Sequence, residues 1–169
     1  TRCAGSWGDA RMAQYDFSGQ AAIVTGSNRG IGAAIAMELG RCGADVMLTG
    51  RDAAQLDAMA GEIEKASGRR PTHVACDLRT PDAARHLVDA AMSRYGRLDI
   101  LVNNAGATKR GDFLTLTDDD VLDGFALKYH GAVRMTRHAW PHLVATKGKL
   151  VNIVGIGRAS CRERVCSVV

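Results

Sequence analysis

Thr25-Gly26-Ser27-Asn28-Arg29-Gly30-Ile31-Gly32 decides the reading of this 169-residue chain. The run Ala21-Ala22-Ile23-Val24 before it is short, apolar and of strand type. After it, Ile31, Ile35 and Leu39 recur at helical spacing, with Ala34 and Cys42 on the same stripe. The stretch reads as strand, glycine loop, helix. Such a junction suits a phosphate group. Gly26 permits a tight turn, and Gly30 and Gly32 let backbone and ligand approach closely. The first helical amides lack internal partners and point outward, with the positive end of the dipole behind them. The spacing is Gly-x-x-x-Gly-x-Gly, not Gly-x-Gly-x-x-Gly, and the absence of a following Gly-Lys-Ser/Thr sets a P-loop aside. Alone, the motif is equally compatible with a glycine turn that binds nothing.

Working outward, the first helix is expected to stop near Gly43 and Asp45–Thr49 to form the second strand. Gly50-Arg51 follows, then Asp52 as N-cap of a helix through about Ala66. The residue ending this strand selects the dinucleotide: an acid holds a ribose 2′-hydroxyl, an arginine accommodates a 2′-phosphate. Here the acid is missing and Arg51 is present, with Arg29 of the glycine loop adding a second cation. NADP is therefore favoured over NAD. A third strand, Thr72–Cys76, ends in Asp77-Leu78. The next helix is expected to take Thr80 as N-cap and Pro81 at its first position, to bury Leu87, Val88, Ala91 and Tyr95, and to end at Gly96. A fourth strand, Leu98–Val102, runs into Asn103-Asn104-Ala105-Gly106.

Thr117 is expected to cap a helix whose first turn holds Asp118, Asp119 and Asp120, where carboxylates suit the dipole. Leu122, Phe125, Tyr129, Ala132, Thr136 and Leu143 are expected to form its apolar seam. No metal site is expected. Adjacent acids on a helix point in different directions, and the His138/His142 pair lacks a following Glu and is interrupted by Pro141. Lys149–Val154 is the fifth strand. Five strands alternating with helices predict a parallel α/β sheet.

Composition narrows the function classes. Apolar residues make up 46% of the chain, enough for a core, and the length fits one domain. Of the net charge of +4, Arg158, Arg162, Glu163 and Arg164 supply two and Arg2, Asp9 and Arg11 supply one. The middle of the chain is thus nearly neutral, and no basic stripe with interleaved aromatics points to nucleic acid. No apolar run is long enough to span a membrane. The five cysteines form no Cys-x-x-Cys and no zinc spacing. They read as thiols of a reducing compartment, and a cytoplasmic location is expected.

Taken together, Thr25-Gly26-x-x-x-Gly30-Ile31-Gly32, Asp77-Leu78 and Asn103-Asn104-Ala105-Gly106 resemble the short-chain dehydrogenase/reductase family, over about Met12 to Gly155. The resemblance implies a Rossmann-type, doubly wound, three-layer α/β/α fold. It also implies an oxidoreductase that moves hydride between NADP(H) and a small carbonyl or alcohol substrate, as a homodimer or homotetramer. By resemblance the Gly26–Gly32 loop (Gly26, Ser27, Asn28, Arg29, Gly30, Ile31, Gly32) holds the pyrophosphate. Asp77 and Leu78 lie beside the adenine, and Asn103, Asn104, Ala105 and Gly106 support the central strand and line the cofactor.

The family's catalytic Asn, Ser and Tyr-x-x-x-Lys cannot be carried over. The Asn position matches Lys128, the Ser position matches Gly155, and no Tyr follows Gly155. No catalytic residue is assigned, and a non-catalytic dinucleotide-binding relative, a sensor or scaffold, is the alternative. A methyltransferase with a similar loop wants an acid where Gly50-Arg51 stands. Residues 1–11 are expected to be a leader, 12–155 a truncated Rossmann domain, and 156–169 a non-native tail resembling a translated sequencing adaptor. The sixth strand of the full sheet is expected to be missing, and the fragment to be catalytically incomplete.

Overall fold

The strand ahead of the glycine loop, β1 (Ala21–Thr25), is buried along its whole length. Strands β2 (Asp45–Gly50) and β4 (Ile100–Asn103) flank it, both parallel to it. The structure, a computed structural model, describes residues 15–106 and 113–154. Outside the central trio lie β3 (Thr72–Ala75), paired with β2, and β5 (Lys149–Asn152), paired with β4. The sheet order is β3-β2-β1-β4-β5. Register runs from Ala21 opposite Asp45 to Thr25 opposite Thr49.

Alternation along β1 and β2 divides the core in two, because successive strand residues point to opposite faces. Ala22, Val24, Val46 and Leu48 meet helices α1 (Gly30–Arg41) and α2 (Ala53–Ser67). Ile23, Met47 and Leu101 meet α3 (Ala83–Tyr95) and α5 (Ala132–Thr146) on the other face. The result is the three-layer, doubly wound sheet expected. Since β2 lies on one side of β1 and β4 on the other, the crossover direction reverses there. The crevice at the carboxyl ends of β1 and β4 is the place where such sheets take ligands. At the opposite end, the buried Asp99 carboxylate accepts from the Ala21 amide (2.8 Å) and from Arg97 (2.7 and 2.8 Å), fastening the start of β1.

Four expectations need correction. First, only part of the α1 stripe is buried: Ile35 and Leu39 pack against the core, but Ile31 and Ala34 are exposed, and Gly32, Ala33, Ala36 and Gly40 face inward. The glycines bring the α1 backbone so close to its neighbours that only small residues fit; a Cβ on Gly40 would lie 2.7 Å from Ile63 Cγ2. Second, Thr80 does not cap α3. Its hydroxyl donates to the Asp77 carbonyl (2.9 Å), which spends Thr80 and Pro81 on the preceding turn, and the helix starts after Asp82.

Third, the apolar seam is rotated. Thr117 does cap α4 (Asp118–Phe125), in a capping box with Asp120. Residues Ala126–Gly131 then form a π turn before α5. The wider turn shifts the helical phase, so Leu122, Phe125 and Tyr129 are exposed and Ala132 and Thr136 only half-buried, while Gly131, Met135 and Ala139 are buried beside Leu143, the one member of the expected seam that is. Fourth, Pro141 does not interrupt the helix. It costs α5 one internal hydrogen bond, but Ala139 and Leu143 are packed on either side of it and α5 continues.

Candidate functional site

The carboxyl ends of β1, β2 and β4 open into a cavity of about 690 Å³, within the range of small-molecule sites. Gly26, Arg29, Gly30 and Ile31 line it at the glycine loop. Gly26 has φ +65°, and a Cβ on it would come within 2.9 Å of Ala105 Cα. Gly30 has φ +61° and open space above it. A Cβ on Gly32 would collide with the Gly26 carbonyl and the Asn104 amide. Arg29 occupies the N-cap of α1 without a side-chain cap bond, and no acid stands in the first turn. The helix therefore presents its positive end to the cavity without a side-chain acceptor of its own.

The glycine loop and Asn103–Gly106 are built into one another. The Thr25 hydroxyl accepts from the amides of Asn104 and Ala105 (2.9 Å each) and donates to the Val102 carbonyl (3.2 Å). The Asn104 side chain donates to the carbonyls of Thr25 (3.0 Å) and Gly26 (3.2 Å). Ser27 works from beneath: fully buried, its hydroxyl accepts from the Thr49 amide (2.9 Å), holding the loop to β2.

Beyond the loop the cavity is lined by Gly50, Arg51 and Asp52, then by Cys76, Asp77 and Leu78. Asp52 is the acid nearest the end of β2, and its carboxylate is turned into α2, accepting from the Gln55 amide (3.1 Å). Gln55 accepts in turn from the Asn28 side chain (2.7 Å), and Asn28 packs over Gly50. Neither Arg29 nor Arg51 is in an ion pair with a carboxylate among the described residues. Asp77 is held below the usual carboxylate range, chiefly by hydrogen bonds from Arg79, with a smaller contribution from the positive field of Arg51.

At the far end stand Asn104, Ala105, Gly106 and Lys128. The Lys128 stem lies along Gly106, its Cδ 3.5 Å from where a Cβ would be. Three of the residues picked from sequence do not line this cavity: Ser27, Gly32 and Asn103. Asn103 faces a second cavity of about 550 Å³ beside Tyr129, Trp140 and Leu150. It donates to Thr136 (3.1 Å) and Asn152 (3.0 Å). Sequence reasoning missed Asn28–Gln55 as a pair and Cys76 as a lining residue; Lys128, singled out only as a departure from the family's Asn, also lines the cavity. Contacts between residues far apart in sequence leave no local signal. Gly155, and the segments 1–11 and 156–169, lie outside the described residues. Among the described residues no cluster of His, Cys, Asp or Glu is placed to hold a metal, and no helix is long and apolar enough to cross a membrane.

The sequence profile described as short chain dehydrogenase matches residues 20–163. An uncharacterised oxidoreductase of Mycobacterium tuberculosis is 38% identical over 144 residues, covering 83% of this chain and 54% of that protein. The chain spans about half the length of the curated relatives it matches. A metagenomic short-chain oxidoreductase solved in complex with NADP superposes with a TM-score of 0.74 at 39% identity, over 80% of this chain and 62% of that one. L-Sorbose reductase from Gluconobacter frateurii, solved with NADPH and L-sorbose, gives a TM-score of 0.76 at 33% identity, over 81% and 52%.

Proposed function

The chain belongs to the short-chain dehydrogenase family, and from that premise we propose that it is the dinucleotide-binding part of an NADP(H)-dependent oxidoreductase acting on a carbonyl or alcohol. The observation that carries the choice of NADP is Arg51 at the end of β2, with Asp52 drawn away into the α2 cap. The residues fit the cofactor: an uncapped helix N-terminus, open space above Gly30, and two cavity-lining cations, Arg29 and Arg51, that form no ion pair with a carboxylate among the described residues. When bound, the nicotinamide supplies or accepts the hydride.

In this reading the loop amides from Gly26 to Gly32 bind the pyrophosphate, with Ser27 and Gly32 shaping the loop from beneath. Arg29 and Arg51 hold the 2′-phosphate, Asp77 and Leu78 flank the adenine, and Asn104, Ala105 and Gly106 line the nicotinamide half. Asn103 supports the sheet rather than the ligand. Catalysis is assigned to no described residue. Lys128 stands where the family places an Asn, so the parent protein either works by an altered proton relay or binds without turnover. The exposed Leu122, Phe125 and Tyr129 support self-association.

The test is a binding titration of this chain with NADPH, followed by absorbance assays of the parent protein with a broad panel of carbonyls. Binding with turnover of any carbonyl supports the enzyme reading. Binding without turnover favours the sensor or scaffold, which Lys128 motivates. Absence of binding removes both.

A further inference from the structure

We propose that Arg79 is a positioning residue for the base end of the nucleotide: it fixes the Asp77 carboxylate as an acceptor for a 6-amino purine and ties it to helix α4 through Asp123. This rests on the dinucleotide reading above. Arg79 forks Asp77, with Nε 3.1 Å from Oδ1 and 3.0 Å from Oδ2, and Nη2 2.6 Å from Oδ2. Its remaining terminal nitrogen, Nη1, donates to Asp123 on α4 at 2.7 Å. Its backbone is held as well: the Arg79 amide donates to Asp77 (3.0 Å), and its carbonyl accepts from Arg134 on α5 (2.9 Å). Gly131 closes the far side, leaving only 3.3 Å between the Leu78 carbonyl and any Cβ placed there.

A partly exposed aspartate with no partner would rotate freely and present either face to solvent. A planar guanidinium bonded to both oxygens fixes the plane of the carboxylate, and Asp123 and Arg134 fix the guanidinium and its backbone. The carboxylate stays ionised and so can only accept. It then favours a base that offers an amino N–H and disfavours one that offers an oxo lone pair at the same place. Arg79 makes this preference directional without touching the ligand.

The experiment measures affinities of the full chain for NADPH and for its analogue with a 6-oxo purine, by calorimetry. The unmodified protein is expected to favour NADPH by about tenfold, the worth of one hydrogen bond to a charged group. Arg79→Gln is expected to bring the two affinities together, and Arg79→Lys, which cannot fork, to restore only part of the difference. Asp77→Asn is expected to remove it outright, with no further change on adding Arg79→Gln. An Arg79→Gln protein that loses both affinities equally and keeps their ratio overturns the proposal. Should that variant fail to fold, Asp123→Asn removes only the outer anchor; a reduced ratio is expected, and an unchanged one overturns the proposal. Equal affinities in the unmodified protein overturn it while leaving the dinucleotide reading intact. Binding of neither dinucleotide sinks that reading and the proposal with it.

Discussion

Asn104 holds Gly26: its side-chain amide donates a 3.2 Å hydrogen bond to the Gly26 carbonyl and a second, at 3.0 Å, to Thr25. One residue of β4's exit thereby sets the conformation of the loop leaving β1, 78 residues earlier. Asn104→Ala leaves those two carbonyls without this donor, and a destabilisation of about 1–2 kcal/mol is expected in denaturant melts. NADPH affinity should fall with it, since the amides of the loop lose their fixed aim.

The loop glycines should differ in their tolerance of a methyl group. Gly30→Ala meets no neighbour but stays at φ +61°, so a cost of about 1–2 kcal/mol is expected. Gly32→Ala sits in ordinary helix but drives its Cβ into the Gly26 carbonyl and Asn104, so the loop must move. Its NADPH affinity should drop more than that of Gly30→Ala. The opposite order in parallel titrations would mean that the loop packs differently.

Arg51→Ala is expected to weaken NADPH binding about tenfold, the scale of one charge-assisted hydrogen bond, and to leave NADH nearly unchanged. Arg29→Ala should act in the same direction. An equal loss for both dinucleotides would place the arginine away from the 2′-phosphate.

Asp99 makes stability depend on pH. Burial alone would raise its pKa, but the Arg97 fork and the Ala21 amide outweigh that, and the pKa lies below the ordinary value. A depressed carboxylate pKa contributes stability in full above the unfolded value, about 3.9, and loses it as pH falls through the folded value. Asp99→Asn should cost about 2 kcal/mol near neutrality and flatten the acid limb of the melting profile. An unchanged acid limb in thermal melts would remove Asp99 from the account.

Much of the fold is legible in the sequence because it is written in local signals. Ala21–Thr25, the Asp52 cap, the Gly96 helix stop with φ +71° and the Thr117 cap all lie within a few residues of the structure they specify. The helix faces are less legible. In α1, Gly32 and Gly40 bury themselves because neighbouring backbone and Ile63 come too close for anything larger, and hydrophobic periodicity does not see that. Beyond Phe125 the π turn changes the helical phase, so a period counted at a constant angle selects the wrong residues. Of the candidate site, the glycines, Arg51 and Asp77 stand out by type and spacing. Gln55 reaches it only through packing against the distant glycine loop, Lys128 stood out only as a departure from the family's Asn, and Arg79 braces Asp77 from two residues away without lining the cavity.

The most direct measurement is the ratio of NADPH to NADH affinity for the unmodified chain, taken in one buffer at fixed ionic strength. Tighter binding of NADPH by about tenfold or more is expected from Arg51 at the end of β2, Arg29 in the glycine loop and an acid committed to the α2 cap. Equal affinities, or a preference for NADH, would contradict the assignment of Arg29 and Arg51 to a 2′-phosphate. Binding of neither would contradict the dinucleotide site itself.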